Sequence, residues 1–128
     1  MKFLIDTHTF LWFIEDNNRL PQRARELMED ANNELFLSIA SLWEIAIKIS
    51  IGKLEPYQTF DNIFVQHLER NNIQLLPISV EHLAAVSQLP RHHGDPFDRL
   101  IIAQAQVENL SIISADATFD AYAVTRLW

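Results

Sequence analysis

Short apolar runs, each too brief to be a helix and most of them followed by a helical pattern, recur along the whole chain. They lie at residues 2–5, 34–37, 74–77 and 111–113, with a fifth, weaker run at 124–126. Helical stretches fall between them, at 7–15, 21–31, 41–51, 60–70, 80–88 and 96–108. Such alternation predicts an α/β fold with a parallel sheet, because parallel strands need long crossovers, and helical crossovers cover both faces of the sheet. The local punctuation agrees. Pro21 suits the first turn of a helix, Gly52 and the pair Asn71-Asn72 are stops, and Asp95-Pro96 is a cap followed by a first helical residue. The connection at 53–59 is the least regular, and 91–95 is a polar loop. Residues 1–128 read as one domain without linker, repeat or low-complexity segment.

Several function classes are excluded early. Cysteine is absent, so there is no disulfide framework and no thiolate metal site, which fits a reducing, cytoplasmic setting. Glycine occurs only at Gly52 and Gly94, too few for a P-loop or a glycine-rich dinucleotide turn. Asp6 and His8 interrupt the apolar start too early for a signal peptide. Ser38, Ser41, Glu44, Lys48 and Ser50 interrupt the apolar stretch at 35–51, so no membrane span is expected there. The net charge is −7, from 17 acidic and 10 basic side chains. Nucleic-acid binders are usually basic, so a nucleic-acid role requires that several acids share one cation-filled site.

Four acids are placed where an α/β chain brings distant segments together. Asp6 closes the first strand, Asp116 follows the fourth, and Glu44 and Asp98 lie near the starts of two helices. Each has a local explanation. Asp6 can cap the helix beginning at Thr7, and Ser41 with Glu44 has the S-x-x-E spacing of a capping box. Asp95-Pro96-Phe97-Asp98 fits cap, N1, N2 and N3, and Asp116 suits a turn. As a group they are harder to dismiss. Ligands of open parallel sheets bind at the carboxyl ends of the strands, and four carboxylates converging there repel one another unless a cation lies between them. A divalent metal and phosphodiester hydrolysis are the expected chemistry.

The segments carrying these acids resemble a known family. Leu4-Ile5-Asp6-Thr7-His8, Ser38 to Ile45, Asp95 to Ala105 and Ser114-Ala115-Asp116 occur in the order found in PIN-domain ribonucleases, and more narrowly in the VapC toxins of type II toxin–antitoxin pairs. The resemblance implies a single PIN domain with strand order 3-2-1-4-5. It implies that Asp6, Glu44 and Asp98 bind Mg²⁺ or Mn²⁺, with Asp116 completing the site directly or through water. It further implies an RNA substrate, a VapB-like antitoxin seated in an apolar groove near the acids, and a homodimer.

Around that core, Thr7 and Ser41 are expected to hydrogen-bond carboxylates or phosphate, with local capping as the simpler role. Asp95 is expected to be a cap or to support the ligands. Arg99 is the leading candidate for a phosphate contact, and Lys48 pairs with Glu44 one turn earlier. His92 and His93 have no zinc spacing and are expected to line a solvated loop. Trp12 and Phe13 point in different directions on one helix, so at least one is partly exposed. Two other functions compete. An aspartyl phosphatase would favour a second acid two residues after Asp6, where His8 stands. A non-catalytic Mg²⁺-binding regulatory module would need a late lysine, and the last lysine is Lys53.

Overall fold

The computed structural model describes residues 1–54, 60–61 and 65–128. Five strands form one parallel sheet: β1 (Lys2–Ile5), β2 (Glu34–Ser38), β3 (Ile73–Leu76), β4 (Ser111–Ile113) and β5 (Arg126–Leu127). Their order is β3-β2-β1-β4-β5. β1 is therefore central, and Phe3, Leu4 and Ile5 are all fully buried, as a strand covered on both faces requires.

The helices divide between the two faces. Phe3 and Ile5 face a core with Phe10 of α1 (Thr7–Ile14), Ala24 and Met28 of α2 (Gln22–Glu29), and Leu42 and Ile45 of α3 (Ile39–Ser50). Leu68 of α4 (Gln66–Arg70) joins the same core. Leu4 faces the other way, into a cluster with Leu89, Phe119 and Tyr122 and with Ile101, Ile102 and Ala105 of α6 (Pro96–Glu108). α5 (Val80–Gln88) packs on α6. Each fully buried side chain of β1 contributes about 1.5–3 kcal/mol of burial free energy, so the strand that ends in Asp6 is the most firmly held in the sheet.

Helix ends set the positions of the acids. The Asp6 carboxylate caps α1 by accepting from the Thr9 N–H at 2.9 Å. Asp95 caps α6, accepting from the N–H groups of Phe97 and Asp98 at 2.9 and 3.2 Å, with Pro96 at the first position. α6 stops at Asn109, whose left-handed backbone (φ 55°) an asparagine tolerates better than most residues.

Several boundaries differ from the sequence reading. α3 begins at Ile39, not Ser41, and its cap is Ser38, which accepts from the Ala40 N–H. Ser41 and Glu44 are thus inside the helix and form no capping box. Pro21 caps α2 instead of starting it. β5, at Arg126–Leu127, starts two residues later and ends one residue later than the expected 124–126. The helix expected at 60–70 is described as α4 over its last five residues, and the rest of that stretch lies largely outside the described residues. Among the described residues, no helix is long and apolar enough to cross a membrane.

Candidate metal centre

The carboxyl edge of the sheet gathers the predicted acids around Asp98. Burial pushes the Asp98 carboxyl up to about 7, and the negative charges of Asp95, Asp116, Asp6 and Glu44 add to the effect. Four segments of the chain therefore bring their acids close enough to be felt at one carboxyl. Burial likewise raises Asp6, opposed by hydrogen bonds from Ser114 and Thr9 and by attraction to His8.

Hydroxyl groups hold two of the acids. Thr7 Oγ1 lies 2.8 Å from Glu44 Oε1 and 3.0 Å from Ser41 Oγ. With one proton on each hydroxyl, Thr7 donates to the carboxylate and accepts from Ser41. This clamp joins α1 to α3 and explains why Ser41 faces inward. Lys48 Nζ stands 3.3 Å from the other Glu44 oxygen, the intrahelical pair expected. On the other side, Ser114 Oγ donates to Asp6 Oδ2 and accepts from the Asp116 N–H at 3.0 Å. Asp116 in turn caps a 3-10 helix, Ala117–Ala121, and its Oδ1 accepts from the backbone and hydroxyl of Thr118. β5 completes the frame. The Ser114 N–H donates to Leu127 O and Arg126 Nη1 donates to Ser114 O, both at 3.1 Å.

Arg99 requires a correction. It is buried, and its guanidinium faces away from solvent into the turn before α6. Nη2 donates to Leu89 O at 3.1 Å and Nη1 to Pro90 O at 3.0 Å. Successive residues on a helix point about 100° apart, so following Asp98 in sequence does not place Arg99 beside it. The phosphate contact is replaced by a strut that folds the 89–93 loop. The solvated-loop expectation holds for His92 and needs correcting for His93. His93 is largely buried, with its ring against Phe119 and Tyr122, and Nδ1 lies 2.9 Å from Tyr122 Oη. His92 is exposed and packs edge-on against Tyr122 at 4.9 Å.

Ser114, His93 and Tyr122 were not singled out for these contacts by sequence reasoning. Ser114 carried a weak signal, its place two residues before an acid at a strand end. The others carried none, because Tyr122 meets the 91–95 loop from a remote part of the chain.

The donor set suits a hard divalent cation. All the acids offer oxygen, and among the described residues no Lys or Arg is paired with Asp98, whose nearest cationic candidate is His93 at 3.7 Å. Among the described residues, no group of three or more His, Asp or Glu side chains stands close enough to hold a metal ion together. Mg²⁺ is commonly bound by one or two carboxylates while keeping several waters, so an open arrangement fits it better than a nest of protein ligands. Next to the acids lies a shallow cavity of about 260 Å³, lined by Asp6, His8, Trp12, Ala115 and Asp116. Trp43 is 61% exposed and stands edge-on to Phe97 at 5.2 Å. These two aromatics immediately precede Glu44 and Asp98 in sequence, and their contact joins α3 to α6.

Comparison with known proteins agrees with this architecture. The PIN domain model matches residues 3–124. A curated relative, Ribonuclease VapC16 of Mycobacterium tuberculosis, is 36% identical over 58 residues. That match spans 45% of this chain and 40% of the relative. Among solved structures, VapBC2 from Rickettsia felis bound to a DNA fragment of its promoter superposes with a TM-score of 0.76 at 16% identity, over 99% of this chain and 98% of that one. DNA-bound VapBC from Salmonella typhimurium gives 0.71 at 17% identity, over 99% and 97% of the two chains. FitAcB from Neisseria gonorrhoeae gives 0.66 at 18%, over 98% and 96%. At these identities the structures speak to the fold alone.

Proposed function

Since the chain belongs to the PIN domain family, we propose that it is a metal-dependent endoribonuclease and the toxin of a type II toxin–antitoxin pair. The observation that carries this reading is the field of four other acids at the half-buried Asp98 carboxyl, at the carboxyl edge of a parallel sheet. Asp6, Glu44 and Asp98 would hold Mg²⁺ or Mn²⁺, and Asp116 would complete the site. The bound cation would supply an activated water and charge neutralisation on the phosphate.

The chain's own groups prepare that chemistry. Thr7 and Ser114 each donate to a carboxylate oxygen, so Glu44 and Asp6 are held in place before any ligand arrives. Asp95 acts as a cap, orienting the first turn of α6 and with it Asp98. RNA as substrate is supported by the name of the curated relative. An antitoxin partner is supported by the VapBC structures and by the aromatic pair of exposed Trp43 and Phe97, against which a partner segment would dock while a basic side chain enters the acidic cleft. Val80 and Leu83 of α5, 78% and 54% exposed, offer an apolar face for a second copy in the proposed homodimer. A cytoplasmic setting suits a chain without cysteine.

The test is cleavage of a structured RNA pool by partner-free protein, with Mg²⁺ or Mn²⁺, with EDTA, and with Asp98→Asn. Metal-dependent cleavage lost in the variant supports the reading. Metal-dependent cleavage that persists in Asp98→Asn refutes the site assignment. Phosphate release from small monoesters with RNA left intact favours the phosphatase alternative. Mg²⁺ binding without turnover of either favours the regulatory module.

A further inference from the structure

His93 stands in the loop that leads into α6, and its ring nitrogens have unequal surroundings. Nδ1 is 2.9 Å from Tyr122 Oη. Nε2 is buried without a hydrogen-bond partner, and the atom before it is Asp98 Oδ2, at 3.7 Å. The protons on this chain can be placed by counting. Tyr122 Oη faces three donors, the N–H groups of His92 and His93 at 3.2 Å each and Arg99 Nη1 at 3.5 Å. A hydroxyl oxygen has two lone pairs, so it has none to spare for a further donor. The Tyr122 hydroxyl proton must then go to His93 Nδ1, the acceptor left within reach. With Nδ1 accepting, the ring proton is on Nε2.

We propose that His93 is a positioning residue for Asp98: held as the Nε2–H tautomer by Tyr122, it donates to Asp98 Oδ2 and fixes the rotation of that carboxylate. The inference rests on the reading of Asp98 as a ligand of a divalent cation. A charge-assisted N–H···O⁻ bond is about 2.7–2.9 Å long, so a movement of under about 1 Å closes the gap. Contacts of this kind are often long before a site is filled. In this tautomer Nε2 meets the carboxylate as a donor and leaves the lone pairs of Asp98 to the cation. Phe119 and Tyr122 fix the ring plane, and Arg99 braces the loop through Leu89 and Pro90. Tyr122 and Arg99 therefore act on the carboxylate only through His93.

Two measurements test this. Long-range ¹H–¹⁵N correlation of the imidazoles in metal-free protein at pH 8, with His93 assigned through His93→Gln, should show the Nε2–H tautomer. The Nδ1–H tautomer would overturn the proposal. Mn²⁺ titration of folded wild type, His93→Gln, His93→Ala and Asp98→Asn supplies the second readout. His93→Ala should bind Mn²⁺ about tenfold or more weakly, while His93→Gln, which keeps an N–H donor near that point, should stay within about threefold of wild type. Equal affinity in His93→Ala, or a loss in His93→Gln as large as in His93→Ala, overturns the positioning role. If wild type binds no Mn²⁺, or Asp98→Asn binds it equally well, the metal-site reading fails and the proposal with it. Binding lost in Asp98→Asn but kept in His93→Ala sinks the proposal alone. Should His93→Ala not fold, the wild-type tautomer and the His93→Gln affinity decide.

Discussion

The hydroxyl of Ser114 donates to Oδ2 of Asp6, joining the carboxyl ends of two neighbouring parallel strands through a single buried side chain. The same oxygen accepts from the Asp116 N–H. Ser114→Ala removes both contacts and leaves a buried carboxylate oxygen without its donor. The expected cost is about 1–3 kcal/mol, read as a lower midpoint in urea. Metal-dependent cleavage should fall more than stability does, because both Asp6 and Asp116 lose their placement.

The raised Asp98 carboxyl makes stability depend on pH in a definite direction. Its folded value of about 7 exceeds the ordinary 3.8, so between these values the folded protein binds more protons than the unfolded chain. Metal-free stability should therefore decline as pH rises from about 4 to about 7, then level off. Below pH 7 a proton competes with the cation for this carboxylate, and Mg²⁺ affinity should drop by about tenfold per pH unit. Asp98→Asn should melt higher than wild type in EDTA at pH 8, since it removes a repelled charge, and should gain nothing from Mg²⁺. Thermal melts across pH, with and without Mg²⁺, check all three outcomes.

Arg99→Lys separates a strut from a phosphate contact. Lysine keeps the charge but cannot donate from two nitrogens to the Leu89 and Pro90 carbonyls. A loss of about 2 kcal/mol is expected from hydrogen bonds to a charged group, visible in a melt without any RNA. Unchanged stability with weaker, salt-dependent RNA binding would restore the contact that the geometry removes.

The Thr7–Glu44 clamp gives a paired comparison. Thr7→Val keeps the shape and loses the donor, so Glu44 is freed and Ser41 loses its acceptor. The expected result is about 1–2 kcal/mol of destabilisation with reduced Mn²⁺ affinity in a titration. Thr7→Ser, which keeps the hydroxyl, should recover most of the affinity.

Sequence alone reached the parallel α/β class because strand burial is a local property: a run such as Phe3-Leu4-Ile5 is buried wherever it lies in a covered parallel sheet, whereas the strand order came from the family resemblance. Caps were legible for the same reason at Asp6 and at Asp95-Pro96, where acceptor and donors lie within a few residues. The S-x-x-E spacing of Ser41 and Glu44 misled, because spacing cannot tell a helix start from its second turn. The true cap, Ser38, was hidden at the end of a strand. The placement of Arg99 and His93 was out of reach, since both are fixed by a tyrosine and by carbonyls whose proximity only tertiary packing creates. Of the hydroxyls that hold the acids, Thr7 could be named beside them, and Ser114 could not.

The pairing of β5 with β4 fixes when the site can come into being. Ser114 is framed by Arg126 and Leu127, and Ser114 in turn holds Asp6. Asp6 and the serine that holds it lie 108 residues apart in the chain, so no single segment carries the aligned site by itself. Alignment of the first acid is a property of the finished sheet: with β5 undocked, the acids are present but their frame is not.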